Sequence, residues 1–121
     1  MHELSIAVAL VDAALERASE LPGEHVRALH LRLGPLSGVV REALLFSFDV
    51  AIADTPLADA TLTIDDVPLV ARCTQCAADR TLPSPQLLCC PVCGTPTPEI
   101  LSGRELELFA LEMEQDVAAH R

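Results

Sequence analysis

All five cysteines of the chain lie between Cys73 and Cys93, as Cys73-Thr74-Gln75-Cys76, thirteen further residues, then Cys90-Pro91-Val92-Cys93-Gly94. Two Cys-x-x-Cys pairs at such a separation are the usual donor set of a tetrahedral four-thiolate ion, most often structural zinc. The spacing has a geometric basis. Each Cys-x-x-Cys turn puts two sulfurs on one side of the backbone, where the following N–H groups point at them and share their negative charge. Gly94 suits the tight turn after the second pair, because glycine takes positive φ without a Cβ clash. The matching position after the first pair is Ala77, where a mildly strained or differently turned backbone is expected. Cys89 competes with Cys90 for the fourth ligand place, and the Cys-Pro-x-Cys-Gly phrase favours Cys90, leaving Cys89 as a small apolar filler or free thiol. Four thiolates fill the coordination sphere, so such a zinc is structural and hydrolyses nothing. Two disulfides, a redox Cys-x-x-Cys and iron in the same four-sulfur site are the competing readings.

The second metal-competent feature is Met1-His2-Glu3. A bulky His at the second position usually keeps the initiator Met in place. The free amine, the backbone amide nitrogens and the His2 imidazole can then wrap one ion in five- and six-membered chelate rings. Nitrogen donors in a plane favour Ni(II) or Cu(II). Taken alone, His at position 2 more often marks an ordinary frayed terminus.

These donors sit in a chain of 121 residues that is 50% hydrophobic and 21% charged, too apolar for an intrinsically disordered protein. There is no Trp or Tyr, and the aromatics are Phe46, Phe48 and Phe109. With 8 Arg, no Lys and 18 acids the formal net charge is −10, a field that repels phosphate backbones and argues against a nucleic-acid partner. No stretch supplies the ~18 uncharged apolar residues of a membrane span. The opening MHELSIAVALVDAALERA has early carboxylates and no basic leader, so it does not read as a signal peptide. A cytoplasmic location is expected, where thiols stay reduced and clustered cysteines bind metal.

The positioning elements follow from periodicity. Leu4, Val8, Val11, Leu15 and Ala18 recur at three-to-four spacing and predict a helix over about 3–20, stopped by Pro22-Gly23. Residues 25–33 alternate as a strand, with Arg27, Leu29, Leu31 and Leu33 on one side and Val26, Ala28, His30 and Arg32 on the other. A second helix is predicted from about 37 or 39 to 53, with Val40, Leu44, Phe48 and Ile52 along one stripe and Val39, Ala43, Phe46 and Val50 beside it. A short strand covers 61–65, and a third, long one covers 104–114, followed by a frayed tail over 115–121. Between them, 68–103 contains six of the nine prolines and every cysteine, and no helical period survives there. The expected architecture is a small α/β fold of the α+β type: a three-stranded sheet with two helices on one face, formed by residues 1–67 and 104–121. A four-cysteine zinc-binding module, 68–103, is inserted between the second and third strands. The helix–strand core is small, which gives a bound metal a stabilising role.

Met1-His2-Glu3-Leu4 opening a helix, Cys73-x-x-Cys76 with Cys90-Pro91-x-Cys93-Gly94, and then Ser102-Gly103-Arg104-Glu105-Leu106, resemble the HypA family of hydrogenase nickel-insertion proteins. The resemblance runs in order over nearly the full length, including Leu33-Gly34 and the helix from Leu44 to Phe48. It implies a nickel-binding α/β domain and a Cys-rich zinc domain. It also implies delivery of nickel to the large subunit of [NiFe] hydrogenase, work with a HypB-type GTPase, and in some members service to urease. Carried over residue by residue, His2 with the Met1 amine and its own amide would bind nickel, with Glu3 tuning the site or contributing its amide. Cys73, Cys76, Cys90 and Cys93 would hold zinc. Ala77, where the family commonly has Gly, and the doubled Cys89-Cys90 depart from the pattern.

The other polar candidates carry less. His25 and His30 read as surface or partly buried strand residues, and His120 falls in the tail. Asp65, Asp66, Glu105, Glu107, Glu112 and Glu114 most simply form solvated sheet edges, with a charge able to attract a basic partner. No catalytic centre or phosphate loop can be argued, so the chain reads as a non-enzyme and any GTP is hydrolysed by a partner. The resulting expectation is a nickel metallochaperone with Ni(II) as cargo, Zn(II) as a structural ion, and no nucleic-acid or membrane partner. The alternatives are a zinc-ribbon regulatory or nucleic-acid adaptor protein, and an iron electron carrier.

Overall fold

The computed structural model describes residues 3–116. Its elements are α1 (Glu3–Ala18), β1 (Glu24–Leu33), α2 (Arg41–Ile52), β2 (Thr61–Asp66), β3 (Val70–Cys73), β4 (Ala78–Thr81), β5 (Glu99–Ser102) and β6 (Leu106–Gln115). The strands form two three-stranded sheets, ordered β2-β1-β6 and β4-β3-β5. The architecture is therefore two helices and two small sheets, an α+β fold. The tail expected at 115–121 still contributes Gln115 to β6, and residues 117–121 lie outside the described residues.

The chain packs as two compact units: residues 1–31, 39–64 and 108–121 form one, residues 32–38 and 65–107 the other. In the first, α1 packs on α2. Both helices form where expected, but α1 buries a different stripe. Ile6, Ala7, Leu10, Val11 and Ala14 are inside, whereas Leu4 and Val8 are exposed. At 100° per residue this face lies roughly a quarter turn from the expected one. Apolar residues on several sides of α1 made more than one stripe available, and packing chose between them. Helix α2 starts at Arg41 and buries Leu44, Phe48 and Ile52 as expected, but Val40, expected on the same stripe, is the N-cap and exposed. Phe46, expected to flank that stripe, is 70% exposed, and Val50 is exposed as well.

Strand β1 does not keep one alternation. Val26 and Ala28 are buried, then Leu29, Leu31 and Leu33, so the inward phase slips by one residue between Ala28 and Leu29. In β6, Leu108 and Phe109 are both half-buried, after which half-buried Leu111 and Met113 alternate with exposed Glu112 and Glu114. A period-two pattern cannot anticipate such a slip, which exchanges the two faces beyond it. The acids of β6 also do more than face water. Glu112 lies 3.5 Å from Arg27 and 3.3 Å from His30, Glu107 lies 3.4 Å from Arg32, and Asp116 lies 2.8 Å from His25. Exposed pairs of this kind contribute at most about 1 kcal/mol each.

The second unit has its own sheet, which the proline-rich composition of the segment concealed. β3 pairs antiparallel with β4, Val70 opposite Thr81 through to Cys73 opposite Ala78, and with β5 on its other side. Its core is Leu69, Ala71 and Leu82, with Leu36, Leu88 and Ile100 packed against them. Gly34 and Gly103 meet backbone to backbone. The Gly34 N–H donates to the Glu105 carbonyl at 2.8 Å, and the Leu36 N–H donates to the Gly103 carbonyl at 2.7 Å. A Cβ on Gly34 would overlap the Gly103 peptide, so glycine here is a packing requirement.

Candidate metal centre

Cys73 closes β3, and the turn 74–77 leads directly into β4, so the first Cys-x-x-Cys pair is the tip of a hydrogen-bonded hairpin. The Cys76 N–H points at the Cys73 sulfur at 3.4 Å. Ala77 takes φ 53, the left-handed conformation that the missing glycine implied. The second pair lies in a loop fastened by Cys90 N–H to the Thr95 carbonyl and Gly94 N–H to the Cys90 carbonyl, both 2.8 Å. The Val92 N–H points at the Cys90 sulfur at 3.4 Å. Gly94 has φ 78 with open space around it, so it serves the turn and not a close approach.

These two turns bring Cys73, Cys76, Cys90 and Cys93 together, with all four sulfurs within 4.8 Å of one another. Cys73 and Cys93 Sγ are 3.5 Å apart, and Cys76 and Cys90 Sγ are 3.9 Å apart. A tetrahedral ion with Zn–S bonds of about 2.3 Å requires sulfurs about 3.8 Å apart. The donor set and its dimensions fit that ion. Cys89 is outside the cluster, and its backbone bridges to Pro96. All five cysteines are thiols without disulfide bonds.

The electrostatics of the four sulfurs differ. At Cys90, burial pushes the thiol up, but the Cys93 and Val92 backbone amides and the neighbouring Cys93 and Cys73 sulfurs outweigh it and hold the pKa at about 6. The Thr95 hydroxyl, 3.1 Å from the Cys93 sulfur, lowers Cys93 as well. Cys73 behaves oppositely. The Cys76 amide draws its pKa down, yet burial and the surrounding sulfurs raise it to about 11.

Met1 and His2 lie outside the described residues. Glu3 opens α1, and its carboxylate accepts the Val40 N–H at 3.1 Å. Val40 is the N-cap of α2 and makes no side-chain cap, and Glu3 supplies from another helix the bond to the N-cap N–H that a capping-box Glu or Gln would supply locally. This role is invisible in a local reading, because the two residues are 37 positions apart. His25 is held by Asp116 on one ring nitrogen and Glu114 on the other, and His30 lies between Glu112 and the Phe109 ring. His120 is outside the described residues. Sequence reasoning also passed over Arg80, whose pKa is raised by the Cys76 and Cys90 sulfurs. Its one sequence signal is a cation two residues past Ala78 on a strand leading out of the first cysteine turn.

Fold and site together define a small α+β protein built around a four-cysteine metal-binding cluster. A family model described as hydrogenase/urease nickel incorporation, metallochaperone, hypA matches residues 1–113. The chain belongs to the HypA family. A hydrogenase maturation factor HypA of Chloroflexus aggregans is 51% identical over 112 residues, covering 93% of this chain and 98% of that protein. One from Streptomyces avermitilis is 40% identical over 116 residues, covering 94% and 88%. Among solved structures, the solution structure of the Ni metallochaperone HypA from Helicobacter pylori shares the fold with a TM-score of 0.63 at 22% identity, covering 96% of this chain and 100% of that one. Among the described residues no helix is long and apolar enough to cross a membrane.

Proposed function

We propose that this chain is a nickel metallochaperone of hydrogenase maturation. It takes Ni(II) through the Met1 amine, the His2 amide and the His2 imidazole, with Glu3 tuning the site or contributing its amide, while Cys73, Cys76, Cys90 and Cys93 hold structural zinc. The observation that carries this reading is the family match, which begins at residue 1 and so includes Met1-His2-Glu3-Leu4 as well as both cysteine pairs. The chemistry of the two donor sets supports dividing the metals between them. Four thiolates close a tetrahedral ion to incoming ligands. Nitrogen donors at a chain terminus leave a Ni(II) ion open to a ligand offered by an acceptor protein, which is what transfer requires.

On this reading the chain works in the cytoplasm, where its thiols stay reduced for metal ligation. It hands nickel to the large subunit of [NiFe] hydrogenase together with a HypB-type GTPase, and urease maturation proteins are further candidate recipients. The chain itself catalyses no reaction.

The test uses three forms of the protein: untagged, extended at the N-terminus by residues other than His and Cys, and His2→Ala. Ni(II) titration should show one high-affinity site in the first and its near-loss in the other two, with zinc content and far-ultraviolet circular dichroism unchanged. The extension leaves every native side chain in place but converts the anchoring amine into a peptide nitrogen. Full nickel affinity in the extended form would reject the terminal chelate.

A further inference from the structure

Arg80 is placed by the register of the β3–β4 hairpin. Ala71 lies opposite Arg80 and Cys73 opposite Ala78, so these four side chains share one face. On the other face Arg72 and Asp79 pair at 3.1 Å. Ala71 and Cys73 are fully buried, and the Arg80 Nε atom is sealed from water with no hydrogen-bond partner in the protein. Leaving such a group unmatched is costly, so its position calls for a compensating interaction. Cys73, opposite Ala78, is thus the diagonal neighbour of Arg80 and within reach of a long side chain, and the Cys76 and Cys90 sulfurs raise the Arg80 pKa.

A divalent ion with four thiolates carries a net charge of −2. Half-sheltered from water in a chain of net charge −10, that excess is expensive to hold without a counter-cation. We propose that Arg80 is the counter-cation of the four-cysteine site, donating N–H···S bonds to Cys76 and Cys90 that offset the thiolate charge and set how tightly zinc is retained. It is a positioning residue, since it touches the ligands and not the ion. The inference rests on the reading of the cluster as a zinc site, and it predicts that metal retention depends on a residue outside both cysteine motifs.

The test compares wild type, Arg80→Met, which keeps the aliphatic stem over Ala71 but loses charge and donors, and Arg80→Lys, which keeps the charge. Zinc affinity is measured by competition with a chromophoric chelator. Partners that orient and polarise metal ligands typically contribute 10–100-fold in affinity. A loss of about that size is expected in Arg80→Met, with partial recovery in Arg80→Lys. Cobalt(II) substitution supplies the readout that packing alone would not move. N–H···S bonds lower the energy of the sulfur electrons, so the sulfur-to-cobalt charge-transfer band should shift to lower energy in Arg80→Met. The tetrahedral d–d bands should remain, showing that the site still assembles. Wild-type zinc affinity with an unshifted band in Arg80→Met would overturn the proposal. Equal weakening in both variants with no shift would also overturn it, assigning Arg80 to packing. A wild-type protein that takes up no zinc would overturn the underlying reading of the cluster, an outcome separable from the other two.

Discussion

Replacing Gly34 by Ala tests the closest backbone approach in the second unit. The new methyl group would sit inside the Gly103 peptide, with even the Gly103 Cα only 2.8 Å away. Relief requires the 34 and 103 segments to part by about 1 Å, since ordinary carbon contacts begin near 3.5 Å. Two short hydrogen bonds flank the contact, Gly34 N–H to Glu105 and Leu36 N–H to Gly103, and both stretch as the segments separate. Gly103 has little room to yield, because Leu69 fills the space where its Cβ would stand and its φ is +124. Overpacking costs about 1–3 kcal/mol and each lost bond about 1 kcal/mol, so Gly34→Ala should cost about 3–5 kcal/mol. Gly38→Ala is the control. Gly38 has φ +82 and nothing within 4 Å, so only the left-handed backbone is penalised, by about 1–2 kcal/mol. Urea unfolding at fixed excess zinc compares the two, the fixed metal removing linkage as a variable. A Gly34→Ala midpoint no lower than that of Gly38→Ala would refute the packing account.

Cys76→Ser or Cys90→Ser should release zinc and unfold the β3–β4–β5 unit, while Cys89→Ser, whose sulfur is outside the cluster, should keep both; zinc analysis with near-ultraviolet circular dichroism reads this, and the reverse pattern for Cys89 and Cys90 would refute the ligand choice. Asp116, and after it Glu114, raise the His25 pKa in the folded protein, so the stability His25 supplies is fully present below its unfolded value near 6.5 and is lost as pH rises through the raised folded value. Urea midpoints measured across that window should therefore fall as pH rises in wild type, and this component should vanish in His25→Gln; an unchanged slope would reject the assignment.

What was legible in the sequence was what local chemistry dictates. The two Cys-x-x-Cys turns, the placing of Cys90 and not Cys89 in the sulfur cluster, the left-handed backbone at Ala77 and the Leu44-Phe48-Ile52 stripe all depend on spacings of four residues or fewer. The failures share a cause of the opposite kind. The burying face of α1 was decided by what packs on it, since Leu4 and Val8 offered an equally apolar alternative to Ile6 and Leu10. In β1 and β6 two consecutive residues are buried or half-buried, a break in the period-two pattern that composition does not reveal. The sheet around the cysteines was hidden because its strands are four residues each, too short to show a period among prolines. Glu3 capping α2 and Arg80 meeting the cysteines are tertiary contacts, and a one-dimensional pattern carries no trace of the first and little of the second.

The cysteine-bearing unit gives a physical reason why an ion held there, as proposed, would not also be cargo. Its hydrophobic cluster is Leu69, Ala71 and Leu82 with Leu36, Leu88 and Ile100 packed against them, and the segment between β4 and β5 has almost no regular structure. So little apolar burial cannot by itself offset the entropy of ordering that loop. The sulfurs sit where an ion would help most: Cys73 ends a strand, Cys76 closes its hairpin, and Cys90 and Cys93 come from the loop. An ion held by all four fastens the loop to the hairpin, so removing it releases the structure that forms the site. An ion destined for transfer must leave without unfolding its carrier and must be reachable by the acceptor's ligand before it leaves. The nitrogen donors proposed at the N-terminus would meet both conditions, because the Glu3 carboxylate accepts the Val40 N–H and anchors the first described turn of α1 independently of any metal. On that proposal one metal is kept and the other given up.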